Sequence, residues 1–270
     1  LYSNNFKELF INFYGTVVLM NMNLVEFERD SSFFLCSKEW GAGNVNDVIA
    51  VLCSCRRCFL KNLDKAILPQ KACVVIHSAY DYPWIKQHKM FDEIFLDVRD
   101  RFWSQYAYQF AHELCHHVID SVYDETSRFG WLEEALCELA SLYCLRKMAE
   151  EWNYNPPYEN WRDYSGSLSN YANSIIDCPD NHVEHFNEWL NQNLPSLYIN
   201  RYERDLNRIV AVKLFALFFA HPRMWRLIQY LANVKYDNTL SLVEYFRRLS
   251  TAVPPGLRRE LDDFVAVFVD

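Results

Sequence analysis

Two stretches decide how this chain is read: Ala111-His112-Glu113-Leu114-Cys115-His116-His117-Val118 and, after a break, Trp131-Leu132-Glu133-Glu134-Ala135-Leu136-Cys137-Glu138. In the first, Tyr106, Phe110, Leu114 and Val118 recur at helical spacing, which predicts a helix over residues 103–120. The pattern His112-Glu113-x-x-His116 lies on it. A spacing of four places both imidazoles on one helical face about a turn apart, within reach of a single metal ion. Glu113 projects beside such an ion, where it can take a proton from a zinc-bound water.

A catalytic zinc has three protein ligands and one open position, so a third ligand is required. The second stretch supplies it. Seventeen residues separate His116 from Glu134, enough for one helix to end, a turn over 124–130, and a second helix to return alongside. Glu134 and Glu138 then share a face, opposite the stripe Leu132, Leu136, Leu139 and Tyr143. One carboxylate can bind the ion, and the other can accept a hydrogen bond from the free ring nitrogen of a ligand histidine. Glu133 and Asp120 are rivals for the third position, Asp120 because it continues the histidine stripe by one turn. A continuation with a third histidine is absent: the positions for its glycine and histidine hold Ile119 and Val122.

The segment Trp131-Leu132-Glu133-Glu134-Ala135 resembles the Trp-Leu-Asn-Glu-Gly signature of membrane-alanyl-aminopeptidase-like enzymes. The pattern Glu134-x-x-x-Glu138 is similar to the glutamate helix of thermolysin-like and neprilysin-like enzymes. These are gluzincins, members of the wider zincin class of metallopeptidases. The resemblance covers residues 93–138 and implies zinc, one ion per chain, on His112, His116 and Glu134. It also implies Glu138 as an outer carboxylate and Glu113 as the general base of peptide hydrolysis. The chain departs from the family in carrying Glu133 for its asparagine. No Gly-x-Met-Glu-Asn motif for a substrate's free amine precedes His112, so cleavage within a chain, by an endopeptidase, is expected. The residue that stabilises the oxyanion is not placed, Tyr202, His182 and His185 being candidates.

Around this centre the chain reads as α+β. Residues 16–27 and 32–36 are rich in β-branched and aromatic residues and predict strands, with a turn at Asp30-Ser31. Val48, Val51, Leu52, Cys55, Phe59 and Leu63 predict an amphipathic helix over 47–64. Residues 72–77 and 93–98 predict two more strands, the latter as the rim strand along which an extended peptide lies. Residues 152–166, with Pro156-Pro157, predict a linker or extended loop, and the remainder is helical. The expected architecture is zincin-like. A small twisted sheet with a backing helix, the zinc helix and the glutamate helix form a catalytic core over 1–152, and a helical subdomain occupies 153–270.

Composition sets the outer bounds. Hydrophobic residues make up 51% of the 270 and aromatics 16%, enough for a sizeable core. A net charge of -8 leaves no basic stripe for nucleic acid, so the expected partner is a peptide or protein substrate. No run approaches the ~18 apolar residues of a membrane span. Nine cysteines, several inside helical patterns, fit a reducing cytoplasm better than a disulfide framework. Cys55-Arg-Arg-Cys58 falls mid-helix with no second pair and reads as packing, as does Cys115. His182 and His185 suggest either a second metal or a solvated helix start, and His117 a solvent-facing or outer position. Beside an active peptidase stand two other expectations: a target-specific regulatory or toxin-like protease, and an inactive zincin scaffold used for binding. Intact Glu113 argues against the last.

Overall fold

The computed structural model describes residues 23–29, 31–120, 127–234 and 237–269. Five strands form one mixed sheet: β1 (Leu24–Glu26), β2 (Phe33–Cys36), β3 (Ala72–His77), β4 (Trp84–Gln87) and β5 (Phe91–Leu96), in the order β1-β2-β3-β5-β4. The three central strands β2, β3 and β5 run parallel, and each edge strand pairs antiparallel with its neighbour. Side chains alternate between faces with period two. Phe33, Leu35, Cys73, Val75, Ile94 and Leu96 join the main core, while Phe34, Ala72 and Phe91 form a small cluster apart from it.

Between β2 and β3 runs α1 (Val45–Leu60), capped by the Asn44 side chain on the Asn46 N–H. Its buried stripe of Val48, Val51, Leu52, Cys55 and Phe59 belongs to the same core, so the expected backing helix is present. The expected strand over 72–77 is also present. Of the strand expected over 16–27, residues 24–26 are observed, and the part before Asn23 lies outside the described residues, as does Asp30 of the expected turn.

The expected rim strand is corrected. The strand predicted over 93–98 runs from Phe91 to Leu96 and is interior, hydrogen-bonded to β3 on one side and β4 on the other. Its alternating charge reflects Asp92 and Glu93 engaged by neighbouring side chains rather than an open edge. The edge on this side is β4, a short strand after Pro83.

Helix α2 (Trp103–Ile119) carries the motif and ends at Asp120, whose left-handed backbone (φ 49°) terminates it with an N–H bond to the His116 carbonyl. Helix α3 (Gly130–Trp152) lies against it, buried on almost every side. The two are antiparallel, as the pairs His116–Glu133, His112–Glu134 and Tyr108–Glu138 require. The stretch after Trp152 is closely packed: Trp161 stacks on Trp103 with centroids 5.3 Å apart, and α4 (Tyr164–Ile176) packs against α3. Then come α5 (Phe186–Ile199), α6 (Arg204–Ala220), a 3-10 segment (Pro222–Asn233), α7 (Leu242–Ala252) and α8 (Arg258–Val269). No helix among the described residues is long and apolar enough to cross a membrane.

Candidate metal centre

A cleft of about 540 Å³ lies between β4 and its approach on one side and helices α2, α3 and α6 on the other. Its floor carries His112, Glu113 and His116 from α2, and Glu134 and Glu138 from α3. Two anchors hold the edge strand and motif helix in place. Gln87 of β4 donates to the His116 carbonyl at 3.1 Å, and Gln109 of α2 donates to the Asp97 carbonyl at 3.1 Å.

The donor atoms of three residues converge. Glu134 Oε2 stands 3.3 Å from His112 Nε2 and 3.5 Å from His116 Nε2. Two donors each about 2.05 Å from a tetrahedral zinc stand about 3.3 Å apart, so both spacings match an edge of a zinc coordination tetrahedron. The residues fit the ion that the motif implies. His116 Nδ1 lies 2.7 Å from Glu133 Oε1, a contact that fixes the ring and leaves Nε2 toward the cleft.

Two of the expected roles change. Glu138 does not reach a ligand histidine. Because α3 runs antiparallel to α2, one turn beyond Glu134 brings Glu138 level with Tyr108, whose hydroxyl donates to it; Arg208 Nε adds a second bond at 2.9 Å. The carboxylate on a candidate ligand histidine, His116, is Glu133, whose position in the chain suggested only a rival ligand. Asp120 is bound to the Lys71 ammonium, away from the histidines. His117 is neither solvent-facing nor a ligand: it is buried, with Nδ1 2.7 Å from the fully buried Asp92 of β5 and its ring edge-on to Phe33.

Cys137 is a second candidate for the third position, since its sulfur lies within 4.8 Å of the donor atoms of His112 and His116. Burial, helped by neighbouring Cys115, pushes its thiol well up in the metal-free protein. Glu134 is the other candidate donor. Burial raises its carboxyl, but the His116 charge and the two histidine contacts outweigh that and hold it well below the usual carboxylate range. Burial depresses His116 in turn, and Glu134 and Glu133 more than reverse this, raising it well above an ordinary imidazole. Glu113 is raised, first by burial, with His112 and His116 opposing and Glu134 adding to the rise. A carboxylate poised upward is suited to receiving a proton and returning it.

One residue that sequence reasoning missed is central. Arg201, buried in the turn between α5 and α6, donates from Nε to Glu134 Oε1 at 3.1 Å and brings a terminal nitrogen within 3.6 Å of Glu133. Gly130 opens α3 beneath it, where a Cβ would stand 2.8 Å from the guanidinium carbon. Of the three oxyanion candidates, Tyr202 lines the cleft. His182 binds the Ile176 carbonyl and His185 precedes α5, and neither lines it. Comparison with family models, curated proteins and solved structures finds no significant match.

Proposed function

We propose that this protein is a zinc-dependent peptidase of the gluzincin kind, with the ion on His112, His116 and Glu134. The observation that carries the reading is the position of Glu134 Oε2, 3.3 and 3.5 Å from the two histidine nitrogens across an antiparallel helix pair. When bound, the ion supplies Lewis acidity toward water and the scissile carbonyl. Glu113, next to His112 on the cleft floor, takes the water's proton and returns it to the leaving amine. Edge strand β4, tied to α2 through Gln87 and unpaired on its outer side among the described residues, takes an extended peptide by strand addition, with Tyr82 and Trp84 as an apolar wall. The lack of an amine-capturing motif before His112 supports cleavage within chains.

Metal content and turnover test this together. The purified protein should carry about one zinc per chain. Glu113→Gln should keep that zinc and lose ~10²–10⁴ in peptide hydrolysis. A Glu113→Gln variant as active as the parent defeats the mechanism. Cobalt substitution addresses Cys137: a thiolate-to-cobalt absorption band that disappears in Cys137→Ser would make sulfur a ligand and displace Glu134 from the assignment.

A further inference from the structure

Charge along the cleft wall is unevenly matched. Glu134 is met by Arg201 and two histidines, and Glu138 by Arg208 and Tyr108. Glu113 is buried beside the histidines, in the position of the general base. Every carboxylate that lines the cleft is therefore either neutralised or reserved for chemistry. Arg204, the first residue of α6, lines the same cleft and is exposed to it. Among the described residues no carboxylate lies within 4 Å of its guanidinium, although acidic residues flank it in sequence. Glu203 is engaged by the Asn200 amide, and Asp205 turns to solvent, 3.9 Å from Arg208. In a chain with 35 acidic and 27 basic residues, a cation on a cleft wall with no carboxylate partner among the described residues runs against the surrounding charge.

Resting on the zinc-peptidase reading, we infer that Arg204 is a specificity residue that binds a carboxylate of the substrate, either an acidic side chain or a chain terminus, beside the metal centre. Arg204 lines the same cleft as Tyr108, His112 and Glu113, so a carboxylate held there lies beside the motif helix. The guanidinium presents a planar fork of donors to it, a geometry that lysine lacks. The opposite wall, where Trp84 stacks on Phe95 at 4.1 Å and Tyr82 on Tyr80 at 5.4 Å, carries no charge. Such a cleft takes a peptide that is apolar toward β4 and acidic toward α6.

Binding of matched probes to the zinc-loaded full chain tests this without turnover. The probes are short peptidyl hydroxamates in two pairs, one differing by Asp against Asn beside the hydroxamate, the other by a free C-terminal carboxylate against its amide. At least one acid should bind about five-fold more tightly than its amide, the scale of a solvent-exposed ion pair. The pair that discriminates identifies the source of the carboxylate. The acid-to-amide ratio should fall to near one in Arg204→Gln, survive in part in Arg204→Lys, and invert in Arg204→Glu. Equal affinity within both pairs, a ratio that survives Arg204→Gln, or no binding of any probe overturns the inference. Acid preference without cleavage of any peptide would keep the carboxylate site and remove the peptidase reading; cleavage with no acid preference would do the reverse.

Discussion

Arg201 Nε donates to one oxygen of Glu134, Oε1, while the other oxygen, Oε2, faces the ring nitrogens of both His112 and His116. The carboxylate is thereby divided: one oxygen is held by Arg201 and one is turned to the proposed metal position. A carboxylate shared in this way approaches an ion through a single oxygen, which preserves the open position a catalytic zinc needs.

The first prediction follows from the burial of that pair, both side chains being no more than a tenth exposed. Removing one partner of a buried ion pair typically costs ~3–5 kcal/mol, because the other charge is left uncompensated. Arg201→Ala should destabilise the metal-free protein on about that scale. The zinc-loaded form should lose less, since the ion itself compensates Glu134. Urea unfolding with and without zinc checks this. Equal losses in the two forms would mean that Arg201 does not act through the carboxylate.

Zinc affinity should rank the carboxylates in a different order from the one their spacing suggests. Glu134→Ala should weaken zinc most, as the loss of a charged ligand. Glu133→Ala should follow, by ~10–100-fold, because it frees His116 Nδ1. Glu138→Ala and Asp120→Ala should change affinity little, their partners being Tyr108 with Arg208, and Lys71. Competition against a coloured chelator at fixed pH gives the order. An Asp120→Ala protein without zinc, beside a Glu134→Ala protein that retains it, would exclude the gluzincin arrangement.

The difference between these two orders shows what the sequence can carry. His112, Glu113 and His116 sit within one turn and a half of a single helix, so spacing alone places them together. Glu134 follows because its helix must return antiparallel after a short break. The exchange of Glu133 and Glu138 does not follow, because it depends on how α3 is rotated and shifted against α2. Arg201 and Arg208 meet their carboxylates 67 and 70 residues away, and Asp92 meets His117 across 25; neither local pattern nor propensity marks such pairs. Strand β4 was hidden for another reason. Four residues following Asp81-Tyr82-Pro83 are too few for alternation to stand out against a turn signal.

A third prediction concerns the anchor beneath the motif. Asp92 is fully buried, bonded to His117 Nδ1 and to the His88 N–H, with Lys71 3.7 Å away. It joins sheet to motif helix one residue beyond a proposed ligand. Asp92→Ala leaves the buried His117 imidazole without its partner, a loss of ~1–3 kcal/mol, while the His88 N–H keeps the Phe91 carbonyl at 3.0 Å. Thermal unfolding should show that loss, accompanied by weaker zinc binding, since α2 is released from β5. A variant with unchanged stability would show that the pair is not structural.

The last prediction concerns protons. In the metal-free protein His116 is held well above an ordinary imidazole by Glu134 and Glu133, against the effect of burial. A proton held on His116 in this way would have to be displaced by zinc. Metal uptake should release a proton to the buffer, so titration heats at pH 7 should vary with the ionisation enthalpy of the buffer used. Affinity should fall as pH falls. It should also keep rising with pH well above ~6.5, where binding to an unperturbed histidine would level off. Stability carries the complementary sign. A raised histidine contributes stability that is full below its unfolded value, ~6.5, and is lost as pH rises through the folded one. The depressed Glu134 contributes stability that is present above its unfolded value, ~4.3, and lost as pH falls through the folded one. The metal-free protein should thus be helped by this pair most between about pH 4.3 and 6.5 and should weaken above it, while zinc takes over the compensation of Glu134. The gap in melting temperature between loaded and metal-free protein should widen from pH 6 to pH 8. A gap that stays constant over that range, with no proton released on binding, would show that His116 is neutral before the metal arrives.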